Sequence, residues 1–113
     1  MKTKIKTAKQ LERHFKGIAN HRRIEILKLV AENGGIRLNS IAGSLNCNIK
    51  TISAHTQKLV QAGLVNKEYR DREVAHFLSP YGKTFYKFIT TFSHSWECEN
   101  VIDKQKVEKL IEK

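Results

Sequence analysis

Between Asn48 and Lys58 the sequence gathers side chains that can hydrogen-bond to a polyanion and neutralise it. At about 100° per residue, Lys50, Thr51, Ala54, Gln57, Lys58 and Gln61 share one face of a helix. Ser53 and His55 lie at its margins. Ile49, Ile52, Thr56, Leu59 and Val60 form the opposite face. The outer face is small, polar and basic, and it holds no carboxylate. Such a face can slide between the phosphate rims of a DNA major groove and read base edges. Taken alone, it fits the solvated side of a core helix equally well. Asn48 stands ahead of the helix, where free backbone N–H groups can also bind phosphate. A second basic group follows: Arg70 and Arg72 flank a polar turn, with Lys67 before them. Guanidiniums there can track a DNA backbone or enter a minor groove, although Asp71 and Glu73 offset part of the charge.

Other chemistries find little support. No Ser/His/Asp array, glycine-rich phosphate loop or paired carboxylates stand out, so no enzyme is expected. Cys47 and Cys98 form no close-spaced pair, and a structural zinc site needs four ligands. His94, Glu97 and Cys98 have the spacing to share one metal at a helix end, but a polar helix end is the better reading. Neither metal nor cofactor is expected. Cys47 precedes a helix N-terminus near Lys50, a setting that lowers a thiol's pKa; an inert, half-buried residue of the turn is favoured over a redox switch.

The elements that must position these residues follow from periodicity. Leu11, Phe15 and Ile18 give a first helical stripe, and Ile24, Leu27, Val30 and Ala31 a second. Asn20 is the expected N-cap of the second helix, and Asn33-Gly34-Gly35 its stop. Leu38, Ile41, Ala42 and Leu45 mark a short third helix starting near Asn39 or Ser40. After the break Asn46-Cys47-Asn48, Asn48 caps the fourth helix and Gly63 ends it. The period then changes. Leu64 to Tyr69 and Glu73 to Leu78 read as strands joined at Arg70-Asp71-Arg72. Ser79-Pro80 opens a fifth helix, with Phe85, Phe88, Ile89, Phe92 and Trp96 on one face. Residues 101–113 form a short sixth helix or a frayed tail. The expected fold is mainly α with a small β-hairpin: a single winged helix-turn-helix domain over 1–113. Its helix-turn-helix spans about 39–62, its wing about 64–78 and its dimerisation helix about 80–97.

Bulk properties agree. The 113 residues carry a formal net charge of +10 and a pI near 9.8, a balance that attracts nucleic acid. No Asp or Glu lies between Glu32 and Glu68, and the excess charge lies in the first two thirds of the chain, where a solvated basic surface fits it as well as a binding face. No apolar run is long enough to span a bilayer, and no h-region follows the basic N-terminus. No membrane partner is expected, and the cytoplasm, at the nucleoid, is the expected location. The thiols fit a reducing compartment.

The stretch from Ile18 to about Phe88 resembles the ArsR-type winged helix-turn-helix transcriptional regulators and, more distantly, the MarR-type regulators. The resemblance rests on IANHRRIEILKLV, on IAGSLNCNIKTISAHTQKLVQAGLV and on VAHFLSPYGKTF. It implies a sequence-specific binder of double-stranded DNA, usually a repressor, that dimerises through its first and last helices. The DNA-contacting residues are then Asn48, Lys50, Thr51, Ser53, Ala54, His55, Lys58, Arg70 and Arg72, with Arg22 and Arg23 nearby. The dimer contact is Leu11, Phe15, Phe85, Phe88, Ile89, Phe92 and Trp96, an aromatic surface too large for one small domain to bury readily. A twofold dimer implies a pseudo-palindromic operator. The chain departs from the metal-sensing members: Arg37 and Asn39 stand where these carry Cys-x-Cys. Thr56 replaces a usually apolar residue. The effector stays open, and a winged-helix protein-interaction module is the alternative function.

Overall fold

A computed structural model describes residues 5–94. Five helices and one hairpin follow in the order α1 (Ala8–Ile18), α2 (His21–Glu32), α3 (Leu38–Leu45), α4 (Ile49–Gln61), β1 (Val65–Arg70) and β2 (Glu73–Leu78), then α5 from residue 80 to the last described residue. Trp96, Glu97, Cys98 and the expected sixth segment lie outside the described residues.

Local chemistry sets most boundaries. Thr7 and Gln10 form a reciprocal capping box at the start of α1. Asn20 Oδ1 accepts from the amides of Arg22 and Arg23, and Asn48 Oδ1 accepts from Lys50 N at 2.7 Å, both as expected. The turn between α3 and α4 closes through Asn46 in the left-handed region (φ 51°), and α4 stops at Gly63 (φ 76°). Ser79 Oγ accepts from Gly82 N at 3.0 Å and donates to Gly63 O, tying the start of α5 to the end of α4. Gly82 is required there, because a Cβ would run into the Leu64 carbonyl.

Helix α3 begins at Leu38 with Asn39 and Ser40 in its first turn, after Arg37, which has no side-chain cap bond. The cause is non-local. His76 N of β2 donates to Ile36 O, and Gly35 N donates to His76 O, so the chain is already extended and pinned at residue 36 and turns helical directly afterwards.

The core joins Ile18, Ile26, Leu27 and Val30 to Ile41, Ile52, Leu59, Leu64 and Val65. It departs from the periodic reading in three places. Ile26 is fully buried, whereas Ile24 only flanks the core. Ile49 is 43% exposed rather than inward, since the buried face of α4 starts one turn later at Ile52. The α1 stripe divides: Ile18 is buried, Leu11 and Phe15 are exposed, and His14 and Gly17 take the inward positions. His14 Nδ1 donates to Ala62 O at 2.7 Å, which satisfies both buried groups. Thr56 is buried without strain on its hydroxyl, which donates to Ile52 O at 2.7 Å.

Strands β1 and β2 pair antiparallel with Val65 opposite Leu78 and Arg70 opposite Glu73. This register leaves Asp71 and Arg72 as a two-residue turn, with Asp71 at φ 53°.

Candidate nucleic-acid interface

Helix α4 presents its polar face outward. Lys50, Thr51, Ser53, Ala54, Gln57 and Lys58 are exposed and His55 is half-buried. Its N-terminus is exposed too, at Asn48. The two margins of this face meet different neighbours, and both neighbours are basic.

On one margin stands α2. Arg23 Nε donates to His55 Nδ1 at 3.2 Å. The same guanidinium donates to the carbonyls of Lys16 and Gly17 at 3.3 and 3.4 Å, at the C-terminal end of α1. Arg13 donates to Gln61 O at 2.6 Å, at the end of α4. Arg13, Lys16, Arg23 and Lys58 thus line one open cleft between α1, α2 and α4. Arg22 pairs with Glu25 at 3.1 Å. Partial burial, followed by the nearby charges of Arg23, His21 and Arg22, holds the His55 pKa below the ordinary imidazole value.

On the other margin stands the wing. Lys67 Nζ donates to Gln57 Oε1 at 3.1 Å, and Arg37 pairs with Glu73 at 2.7 Å. Arg37, Asn39, Ser53, Lys67 and Arg72 line a groove of about 290 Å³ between α3, α4 and the hairpin. The two arginines of the wing are not equivalent. Arg70 is held by Glu68 at 3.1 Å and lies over the Phe77 ring at 5.3 Å. Arg72 is exposed and has no ion pair among the described residues.

The structure therefore brings Asn48, Lys50, Thr51, Ser53, Ala54, His55 and Lys58 together on one helix. It sets Arg72 beside them and turns Arg70 toward its own strand. The periodic reading missed Arg37 as an anchor of the wing root and the Arg23–His55 contact. Both join residues far apart in sequence, and the only local signal for either was a basic residue next to a helix start.

The expected dimer surface also divides. Phe88 and Phe92 are exposed and stack on each other, with centroids 5.9 Å apart. Phe85 and Ile89 pack partly against the core, and Phe85 meets Phe15 edge-on at 5.2 Å. Leu11 and Phe15 continue the exposed patch on α1. Trp96 lies outside the described residues. Among the described residues there is no cluster of His, Cys, Asp and Glu able to hold a metal, and no helix is long and apolar enough to cross a membrane.

Known structures share this architecture. The homodimeric winged helix-turn-helix DNA-binding domain of a possible ArsR-family transcriptional regulator from Mycobacterium bovis superposes with a TM-score of 0.71 at 24% identity, over 83% of this chain and 91% of that one. Reduced HlyU from Vibrio cholerae gives 0.68 at 23% identity, over 75% and 90%. A MarR transcriptional regulator from Methanosarcina mazei gives 0.64 at 22% identity, over 79% and 64%. No curated protein matches the sequence. Residues 19–72, from the start of α2 to the tip of the hairpin, match the MarR family. The chain is thus a winged helix-turn-helix protein with the fold of the ArsR- and MarR-type transcription regulators, carrying a MarR-family match across its helix-turn-helix and into its wing.

Proposed function

We propose that the chain is a transcription regulator that binds double-stranded DNA in a sequence-specific manner as a homodimer. The observation that carries this reading is the carboxylate-free outer face of α4 with basic groups along both margins. A helix of this width enters a major groove, and the margins then meet the phosphates of the two flanking strands. Thr51, Ala54 and His55 read base edges or the groove rim. Lys50, Lys58 and Arg72 neutralise phosphates, with Asn48 and the backbone amides of the first turn beside them. The wing lies along the backbone or in the adjacent minor groove.

The dimer forms through the exposed patch of Leu11, Phe15, Phe88 and Phe92, reinforced by Phe85 and Ile89. Twofold symmetry then calls for a pseudo-palindromic operator, with half-sites about one helical turn apart or somewhat more. Repression is the proposed mode, since a regulator whose operator overlaps a promoter excludes polymerase without any further contact. Such a regulator works on the chromosome, in the cytoplasm.

Selection of duplexes from a random pool tests the proposal. An inverted-repeat consensus, with affinity falling steeply as salt rises, is the expected result. Binding to a protein partner that is insensitive to salt, with no retention of any duplex, would overturn it in favour of a protein-interaction module.

A further inference from the structure

His55 lies at the α2 margin of the recognition face, and its ring is held from behind. Arg23 can only donate, so a hydrogen bond from its Nε to Nδ1 requires a lone pair on that nitrogen. The ring proton must then sit on Nε2. This second nitrogen has no protein partner among the described residues and is not a buried unpaired atom, so it opens to solvent. Arg23 itself has little freedom, because its Nη1 is tied to the carbonyls of Lys16 and Gly17. The guanidinium therefore spans the end of α1 and the middle of α4, and its Nε–H direction is fixed by both.

We infer that Arg23 is a positioning residue for DNA contact: it fixes the His55 tautomer so that α4 offers the duplex an Nε2–H donor, to be taken by a phosphate oxygen or a base-edge acceptor at the groove rim. The inference rests on the DNA-binding reading above and adds to it the hydrogen-bond polarity of one contact. A freely titrating histidine would present a donor or an acceptor depending on its tautomer, and a cation at low pH. The charged groups that act on His55 oppose that cation. Arg23, His21 and Arg22 on α2 act on it, Lys58 follows one turn later on α4 and Arg13 and Lys16 line the cleft next to Arg23, while Glu25 is occupied by Arg22. Partial burial acts in the same direction. Both effects favour the neutral ring, and with it the Nε2–H donor.

Two measurements on the full chain test this. The first is the ¹⁵N spectrum of the His55 ring, with and without a duplex from the selection. An acceptor-type Nδ1 and a protonated Nε2 at pH 7.5 are expected, with mixed tautomers in Arg23→Ala. A wild type with its proton on Nδ1 overturns the inference whether or not DNA binds.

The second is Kd between pH 6 and 8 at fixed ionic strength. Arg23→Ala should bind about fivefold tighter at pH 6 than at pH 8 and wild type should change less, because the variant's imidazole loses the opposing Arg23 charge and is easier to protonate. His55→Gln keeps an acceptor for Arg23 and a donor for DNA, so it should bind more tightly than His55→Ala and show no pH dependence from this position. His55→Ala should lose about tenfold. Arg23→Ala/His55→Gln should match His55→Gln, which separates His55 from the exposed His21. Methylphosphonate substitution in the duplex removes the His55→Ala effect if a phosphate is the acceptor, and 7-deazapurine substitution removes it if a base edge is. Indifference to both, or identical pH profiles for wild type and Arg23→Ala, overturns the inference. A wild type that binds no duplex at all defeats the DNA-binding reading itself.

Discussion

Arg72→Ala should weaken DNA binding in a salt-dependent way, and Arg70→Ala should do so far less. The residues sit two positions apart on one turn, and a charge count treats them alike. The structure does not. Arg70 is engaged by Glu68 and by the Phe77 ring, so reaching a phosphate would mean giving up both contacts. Arg72 is exposed, borders the groove beside Ser53 and Lys67, and has no ion pair to give up among the described residues. In a dimer each arginine occurs once per subunit. Removing one phosphate contact per subunit should lower the slope of log Kobs against log salt by about 1.8. Between 50 and 200 mM salt the affinity ratio of wild type to variant should then shrink by about twelvefold. With roughly 1 kcal/mol per exposed charge-assisted contact, the loss near physiological salt is about thirtyfold. Fluorescence anisotropy on one selected duplex at four salt concentrations measures both quantities. Thermal unfolding should be unchanged in Arg72→Ala, because the side chain supports nothing in the fold. An unaltered slope in Arg72→Ala, or an equal loss in Arg70→Ala, would refute the assignment of the wing contact.

Four further outcomes follow from the same contacts. His14→Leu strands the buried Ala62 carbonyl and should cost about 1–3 kcal/mol in urea unfolding; a neutral result would mean that the carbonyl finds another donor. Gly82→Ala drives a methyl into the Leu64 backbone and should cost about 1–3 kcal/mol, whereas Gly43→Ala, which meets open space on α3, should gain up to about 1 kcal/mol. Phe88→Glu combined with Phe92→Glu places charge on the exposed aromatic patch. It should give a folded monomer in sedimentation that binds a half-site weakly, and a persistent dimer would move the interface elsewhere. The His55 pKa is lowered in the folded state, so the unfolded chain protonates first as pH falls through 6.5. Native stability should drop there in wild type and less in His55→Gln, as read by urea midpoints from pH 7.5 to 5.5.

What could be read in the sequence was what is decided within a few residues. Asn20, Asn48 and Ser79 cap their helices because a short side chain reaches the amides two or three positions on, and Gly63 stops α4 through its own backbone. The hairpin was visible because period two replaces period three to four after Gly63. The reading face of α4 was visible because one helix carries all of it. The errors have a common cause. The bridge ahead of α3 was not seen because Ile36 is captured by His76, forty positions away. His14 was not seen as a core residue because its burial depends on a carbonyl at Ala62. Arg70 and Arg72 looked alike because an aromatic ring from the neighbouring strand distinguishes them.

These non-local polar contacts converge on α4. Arg13 and His14 bind carbonyls at its C-terminal end, Arg23 binds His55 near its middle, and Lys67 binds Gln57 on the side of the wing. Each contact is modest by itself; they add to the fully buried Ile52 and Leu59 in holding the rotation of α4 about its own axis. Rotation is the quantity that matters for a helix in a groove, since a turn of one residue step, about 100°, would replace Thr51 and Ala54 with different side chains at the base edges. Helix α1 occupies a particular place in this arrangement. One face carries Arg13 and His14 to α4, and another carries Leu11 and Phe15 to the exposed aromatic patch. If that patch is the dimer contact, one helix of 11 residues sets both the angle of the reading helix and its distance from the twofold axis. A change in dimer packing would then be felt at the operator as a change in half-site spacing, with no effector needing to touch α4.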